Sequence, residues 1–163
     1  MKNGKISFVD AHETLKGVFY CNVFRHVNGE RVLIEVIEEN NLIVNMARDQ
    51  MARLIAGEFA NRNITKIGFG TNNAKPAVED TVLTDAYVKT LDGYEFPDMG
   101  QVRFNWSLGT SEANGKGIKE FGLFCEDGAL FARRRREKVG GEPADPIHKE
   151  ADISLEGTWT IIF

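Results

Sequence analysis

Four consecutive arginines, Arg133, Arg134, Arg135 and Arg136, form the densest concentration of one chemistry in the sequence. A guanidinium group stays charged at physiological pH and binds carboxylate or phosphate groups through paired hydrogen bonds. The run could therefore bind a phosphate backbone or an acidic protein surface. On a strand, however, neighbouring side chains point to opposite faces, which divides the run and weakens the nucleic-acid interpretation.

Two interpretations of the arginine run remain open. The run could be a charged strand end that discourages pairing between sheet edges. It could instead contact another subunit, which makes Arg133, Arg134, Arg135 and Arg136 the candidate assembly interface. On the second interpretation, changing the last three arginines to serine leaves folding nearly intact and impairs assembly.

The other residues that could do chemistry are not spaced as a site. Residues 68–71, Gly-Phe-Gly-Thr, begin like a phosphate-binding loop but lack its Gly-Lys-Ser/Thr ending. The histidines, at 12, 26 and 148, have no zinc-ligand spacing. The acidic residues considered lie in predicted turns or at strand ends, where carboxylates are common; they are Asp80, Asp85, Glu112, Glu120, Glu126 and Asp127. We therefore predict a protein that is not an enzyme, with no catalytic residue, metal site, cofactor or small-molecule substrate.

The composition predicts one folded domain. A chain of 163 residues with 42% hydrophobic content can bury a core without disulfides or metal ions. We treat residues 1–163 as a single domain in which residues 1–16 form a short edge strand or a loose arm. The formal net charge of −4 argues against a general nucleic-acid surface. Apolar runs are far shorter than the roughly 18 residues that span a bilayer, so no membrane segment is predicted.

The two cysteines, Cys21 and Cys125, are predicted to be free thiols. They lie far apart in the sequence, and a single pair does not make a disulfide framework. Small buried hydrophobes in a reducing compartment are the better interpretation.

Alternation of apolar and polar residues predicts that most of the chain is β-strand. The clearest strand covers residues 102–108, where the even positions are apolar and the odd positions are polar. An Asn-Gly or Asp-Gly turn favours a hairpin wherever it separates two such segments. The three predicted hairpins join residues 18–24 to 31–37, 86–90 to 94–96, and 118–124 to 129–133.

One amphipathic helix is predicted over Met46–Ala60, with Asn45 as its candidate N-cap. Apolar residues at 47, 51, 54, 55 and 59 would form its buried face. Residues 139–149 contain two glycines and two prolines and are predicted to be an exposed loop. These elements predict a mainly β protein, an antiparallel β-sandwich or barrel-like core with one packed amphipathic helix.

Seven short motifs follow one another between residues 41 and 163: Asn41–Asn45, Ala52–Gly57, Ile64–Thr71, Glu112–Gly115, Ile118–Phe124, Leu130–Arg133 and Trp159–Phe163. Their order resembles that of small bacteriophage and prophage tail or baseplate proteins. The resemblance implies a non-enzymatic virion structural component that assembles with copies of itself or with other tail or baseplate proteins. It also implies a place in the virion tail after synthesis in the bacterial cytoplasm. It carries over no catalytic residue.

The alternative function is a β-sandwich module that binds carbohydrate or a host surface. This function requires exposed aromatic side chains, and 10% of the residues are aromatic. The alternation of the sequence instead predicts that Trp106 and Trp159 belong to the core.

Overall fold

The chain folds as a mainly β protein. The computed structural model describes residues 15–163, of which 52% are in strands and 7% in a single short helix. The predicted fold class is therefore confirmed. Along the chain the elements are β1 (Lys16–Val27), β2 (Glu30–Ile43), α1 (Asn45–Ile55), β3 (Ile64–Gly70), β4 (Tyr87–Thr90), β5 (Gly93–Glu95), β6 (Gln101–Leu108), β7 (Lys116–Ile118), β8 (Glu120–Cys125), β9 (Leu130–Arg135), β10 (Ile147–Lys149) and β11 (Ile153–Ile162).

Nine of the strands form one curled antiparallel sheet in the order β4-β3-β8-β9-β2-β1-β11-β6-β5. Its two edge strands, β4 and β5, follow one another in the sequence. Between them Leu91 donates its backbone N–H to Thr65 of β3, and Asp92 donates to Asn105 of β6. The short link from β4 to β5 thus crosses between the two ends of the sheet and brings those ends together.

The hairpin of β1 and β2 is the longest in the fold, and its turn confirms the prediction. Asn28 and Gly29 have φ angles of 52° and 82°, the left-handed values that a two-residue turn requires. The predicted strand partners are confirmed, although β2 continues to Ile43 and includes part of the Leu42–Val44 segment that the sequence set apart. A register shift after Val23 marks a bulge in this hairpin.

Aromatic rings from both halves of the curled sheet meet in the core. Phe19 on β1 lies 5.6 Å from Trp106 and 5.0 Å from Trp159, measured between ring centroids. It also lies 4.6 Å from Phe121 on β8, in the opposite half. The predicted alternation of β6 is confirmed, because Phe104, Trp106 and Leu108 are all buried. Ring contacts at these distances add to the free energy gained from burial.

The helix is shorter than its pattern predicts. It begins at Asn45, which is helical, while Val44 takes the N-cap position and gives no side-chain cap. At its other end Gly57 is left-handed, and Glu58 N–H bonds the carbonyl of Arg53 at 2.9 Å. This is the Schellman arrangement that ends a helix. Phe59 therefore lies beyond the helix and is 71% exposed, so the prediction that it is buried is wrong.

Two other local predictions are wrong. Residues 86–96 do not form a hairpin, since β4 pairs with β3 and β5 pairs with β6. Pairing with these longer strands overrides the local turn signal. Residues 139–149 are not entirely an exposed loop, because their last three residues form β10, which pairs with β7 and buries Ile147 and Lys149.

Candidate assembly surfaces

The four arginines of the run are buried. Their exposed fractions are 2%, 5%, 8% and 8% from Arg133 to Arg136. The first three belong to β9, which lies between β8 and β2 in the interior of the sheet order. The run is therefore neither a strand end nor an open cationic patch.

Arg133 joins two carboxylates in a buried cluster. Its Nε donates to Glu120 at 2.7 Å, and its Nη1 donates to Asp80 at 2.7 Å. Glu120 is fully buried, and its other oxygen accepts the backbone N–H groups of Asn72 and Thr84 at 3.1 and 2.7 Å. One carboxylate thus holds both ends of the connection between β3 and β4, and Arg133 neutralises it.

Arg134 and Arg136 bridge β9 to β2 beyond their backbone ladder. The two strands pair only at Leu42 and Ile43 on β2. Further along, Arg134 forms an ion pair with Glu39, and Arg136 pairs with Glu35 at 2.9 Å. Burial lowers the pKa of Arg134 to about 10, since it disfavours the charged form, although Glu137 opposes the shift.

Arg135 points to the same side as Arg133. Its Nε pairs with Glu137 at 2.8 Å, and its Nη groups donate to the carbonyls of Asn73 and Gly141 at 3.0 and 2.8 Å. Every arginine of the run therefore has a carboxylate partner within its own chain. That they contact a partner subunit stays a prediction. The expectation that three of them can be removed without loss of folding is revised, because each removal leaves a buried carboxylate or carbonyl unpaired.

The segment that begins like a phosphate loop is closed by a carboxylate. A Cβ added at Gly70 would lie 2.4 Å from the Glu120 Oε1 atom, so only glycine fits beside that side chain. The same oxygen occupies the nearby N–H of Asn72. A buried negative charge at this position disfavours phosphate.

The remaining candidates for chemistry are dispersed in the part of the chain that the structure describes. His26 bonds Ser154 at 2.8 Å, His148 is exposed, and His12 lies outside the described residues. Asp85 pairs with Lys116, and Glu112 pairs with Lys89. Among residues 15–163 no group of three His, Cys, Asp or Glu side chains could hold a metal ion.

Both cysteines are free and buried. Burial raises the pKa of the Cys125 thiol to about 12, and the neighbouring Asp127 adds to the shift. Burial also raises the pKa of Cys21 well above its ordinary value, with Glu35 contributing in the same direction. These thiols are packed hydrophobes and not nucleophiles, because the reactive form is the thiolate.

One exposed apolar surface lies at the free end of the β1–β2 hairpin. Its members, between 46% and 51% exposed, are Val27, Val32, Leu33, Ile34 and Val36, and we call them the hairpin end. Among the described residues, the outer edge of residues 30–41 on β2 carries no paired strand. Open backbone groups beside exposed apolar side chains are typical of a surface that another chain covers.

A second apolar surface is a recess beside the C-terminus. It encloses about 660 Å³, and its apolar lining residues are Leu54, Phe96, Met99, Val102 and Phe163, which we call the C-terminal groove. Met99 is 96% exposed and Phe163 is 64% exposed. A smaller recess of about 170 Å³ shares Leu54, Val102 and Phe163 and extends towards the core.

The two surfaces lie at opposite ends of the sheet. On β1 the last register pair with β11 beside the hairpin end is Arg25 with Ile153, and the pair at the other end is Lys16 with Ile162. Ile162 is in turn paired with Gln101, which lines the groove. Ten paired residues of β1 therefore separate the surfaces, a distance of about 30 Å at the usual rise of a strand.

Comparison with protein-family models, curated proteins and solved structures finds no match to this chain. Within residues 15–163, the helix is too short and too polar to cross a bilayer. The chain is thus defined by its fold and by its surfaces. Neither of the two apolar surfaces was identified from the sequence, because their side chains are of the same types as those of the core.

Proposed function

We propose that this chain is a non-enzymatic structural component of a bacteriophage or prophage tail or baseplate, which acts by assembling with copies of itself or with neighbouring tail proteins. The assembly part is supported by one observation: the chain exposes an apolar surface at each end of its sheet. Large exposed apolar patches on folded chains mark interaction sites. The tail part is supported by the order of motifs between residues 41 and 163.

The arrangement of polar groups supports a structural role. The buried charges are spent on ion pairs that close loops and join strands, as Arg133 does with Glu120. Substrate chemistry would instead need titratable groups that converge on a cleft. The groove is the most apolar of the recesses and presents little besides aliphatic and aromatic side chains.

The experiment that tests this proposal is analysis of phage particles from a host that carries the gene. We expect the chain to co-purify with density-gradient particles in a fixed ratio to the other tail proteins, as measured by quantitative mass spectrometry. Deletion of the gene should yield particles without complete tails, and a plasmid copy should restore them. Fully infectious particles that lack the chain would refute the proposal.

A carbohydrate-binding module remains the second candidate, on different residues from those that suggested it. Trp106 and Trp159 are 2% and 0% exposed and cannot form a sugar platform. Tyr94 and Phe96 are 67% and 74% exposed, with ring centroids 5.7 Å apart. Glycan-array binding that is lost in Tyr94→Ala would support this candidate, and absence of binding by the native chain would remove it.

A further inference from the structure

We propose that the chain assembles head to tail, with the hairpin end of one copy seated in the C-terminal groove of the next copy. This inference rests on the proposed function, because it names the partner and the contact for an assembly protein. It concerns a contact between copies and involves none of the buried arginines.

The two surfaces are complementary in shape and polarity. The hairpin end carries aliphatic side chains on a strand whose outer edge is open, and Leu33 is 50% exposed there. The groove is a recess of about 660 Å³, within the range of about 300–1,000 Å³ that holds a compact apolar ligand. Several aliphatic side chains could enter it and cover Met99 and Phe163.

The charges that flank the two surfaces are opposite in sign. Arg25 and Arg31 lie beside the hairpin end and are exposed. Asp98 lines the groove, and Glu95 is exposed on the neighbouring strand β5. Opposite charges around an apolar contact favour the correct orientation and oppose the pairing of two like ends.

The position of the surfaces determines the symmetry of the assembly. A two-fold dimer uses the same patch on both subunits, whereas here the matching patches lie at opposite ends of one chain. Each copy therefore presents one projecting surface and one recess, and each contact leaves one of each free. Such a contact repeats until it closes a ring or grows as a filament.

The test uses one charged substitution in each surface. Leu33→Asp alters the hairpin end, and Met99→Asp alters the groove; both side chains are at least half exposed, so the fold should tolerate them. Val82→Asp is the matched control, because Val82 is 70% exposed and belongs to neither surface. Circular dichroism checks folding, and sedimentation velocity measures association across a range of concentrations.

We expect the native chain and Val82→Asp to associate alike. Each of the other two variants alone should need at least about ten times the concentration, the effect of losing about 1.4 kcal/mol of association free energy. A mixture of the two should form dimers but no larger species, because one intact hairpin end meets one intact groove. This restoration on mixing is specific to a head-to-tail contact.

Several results would overturn the inference. If the native chain associates but neither variant weakens association, or if the mixture does not recover dimers, the contact is wrong while an assembly function stands. If deletion of residues 1–14 converts a monomer into oligomers, the same chain had filled the groove. A native chain that stays monomeric, alone and with the other tail proteins, would remove the inference and the proposed function together.

Discussion

Arg133 and Glu120 form a buried ion pair in which the Arg133 Nε lies 2.7 Å from the carboxylate, with exposed fractions of 2% and 0%. They lie on adjacent strands, and the carboxylate also holds the backbone at Asn72 and Thr84. The arginine run that stands out in the sequence is thus explained largely by the needs of the fold. Its first member neutralises a carboxylate that organises a loop.

Replacing Glu120 with glutamine should destabilise the protein by about 3–5 kcal/mol, because Arg133 would lose a buried charged partner. Urea unfolding followed by tryptophan fluorescence measures this change. Residues 71–86 should also become more sensitive to limited proteolysis, since the side chain binds both ends of that loop. Glu79→Gln is the control, because Glu79 is exposed in the same loop. Equal stability of the two variants would contradict the structural role of Glu120.

Changing Arg134, Arg135 and Arg136 together to serine should lower the free energy of unfolding by more than about 3 kcal/mol, because buried Glu39, Glu35 and Glu137 partners lose their cations. The measurement is a denaturant titration of the triple variant beside Arg48→Ser, which removes an exposed arginine on α1. A triple variant that unfolds at the native midpoint would favour a surface role for the run.

Trp159→Ala should cost about 3–5 kcal/mol, since the indole is fully buried against Phe19 and leaves a large cavity. Its Nε1 also donates to the Asn41 side chain at 2.8 Å. Trp159→Phe keeps most of the ring volume but loses this bond, so it should cost less than the alanine variant. Thermal unfolding compares the two, and a loss below about 1 kcal/mol in Trp159→Ala would contradict the packing of β11.

The thiols of Cys21 and Cys125 should stay unreactive in the folded protein as pH rises from 7 to 10. The pKa of Cys125 is raised to about 12, and that of Cys21 is also raised, so both keep their protons where an unfolded thiol, with a pKa near 8.5, ionises. The folded state then binds more protons, and stability should fall as pH rises from about 8.5 towards 12. Alkylation with iodoacetamide, with and without urea, measures this difference. Rapid labelling of the native chain at pH 9 would contradict it.

The sequence predicts the fold best where one side of a strand is buried. The alternation at residues 102–108 and the Asn28-Gly29 turn each depend on local geometry, and both are confirmed. The predicted hairpin at residues 86–96 failed because the pairing of β4 and β5 is decided by β3 and β6, which are distant in the sequence or in the sheet order.

The surfaces could not be predicted from residue types. Met99 and Leu33 have the same chemistry as core residues, and only the tertiary structure shows that they are exposed. The arginines presented the opposite problem, because a run of four charges suggests solvent. Their burial depends on carboxylates that come from β2, from β8 and from the loop after β3. No sequence spacing reports that convergence.

The central claim is that this chain works by joining other chains through its apolar ends, and amide hydrogen exchange tests it most directly. Exchange is compared between dilute chains and assembled chains, prepared by concentration or by adding the neighbouring tail proteins. We predict slower exchange in the assembled state at residues 30–36 and 96–102, with no change at the exposed residues 139–142. Equal exchange at both ends in the dilute and assembled states would contradict the claim.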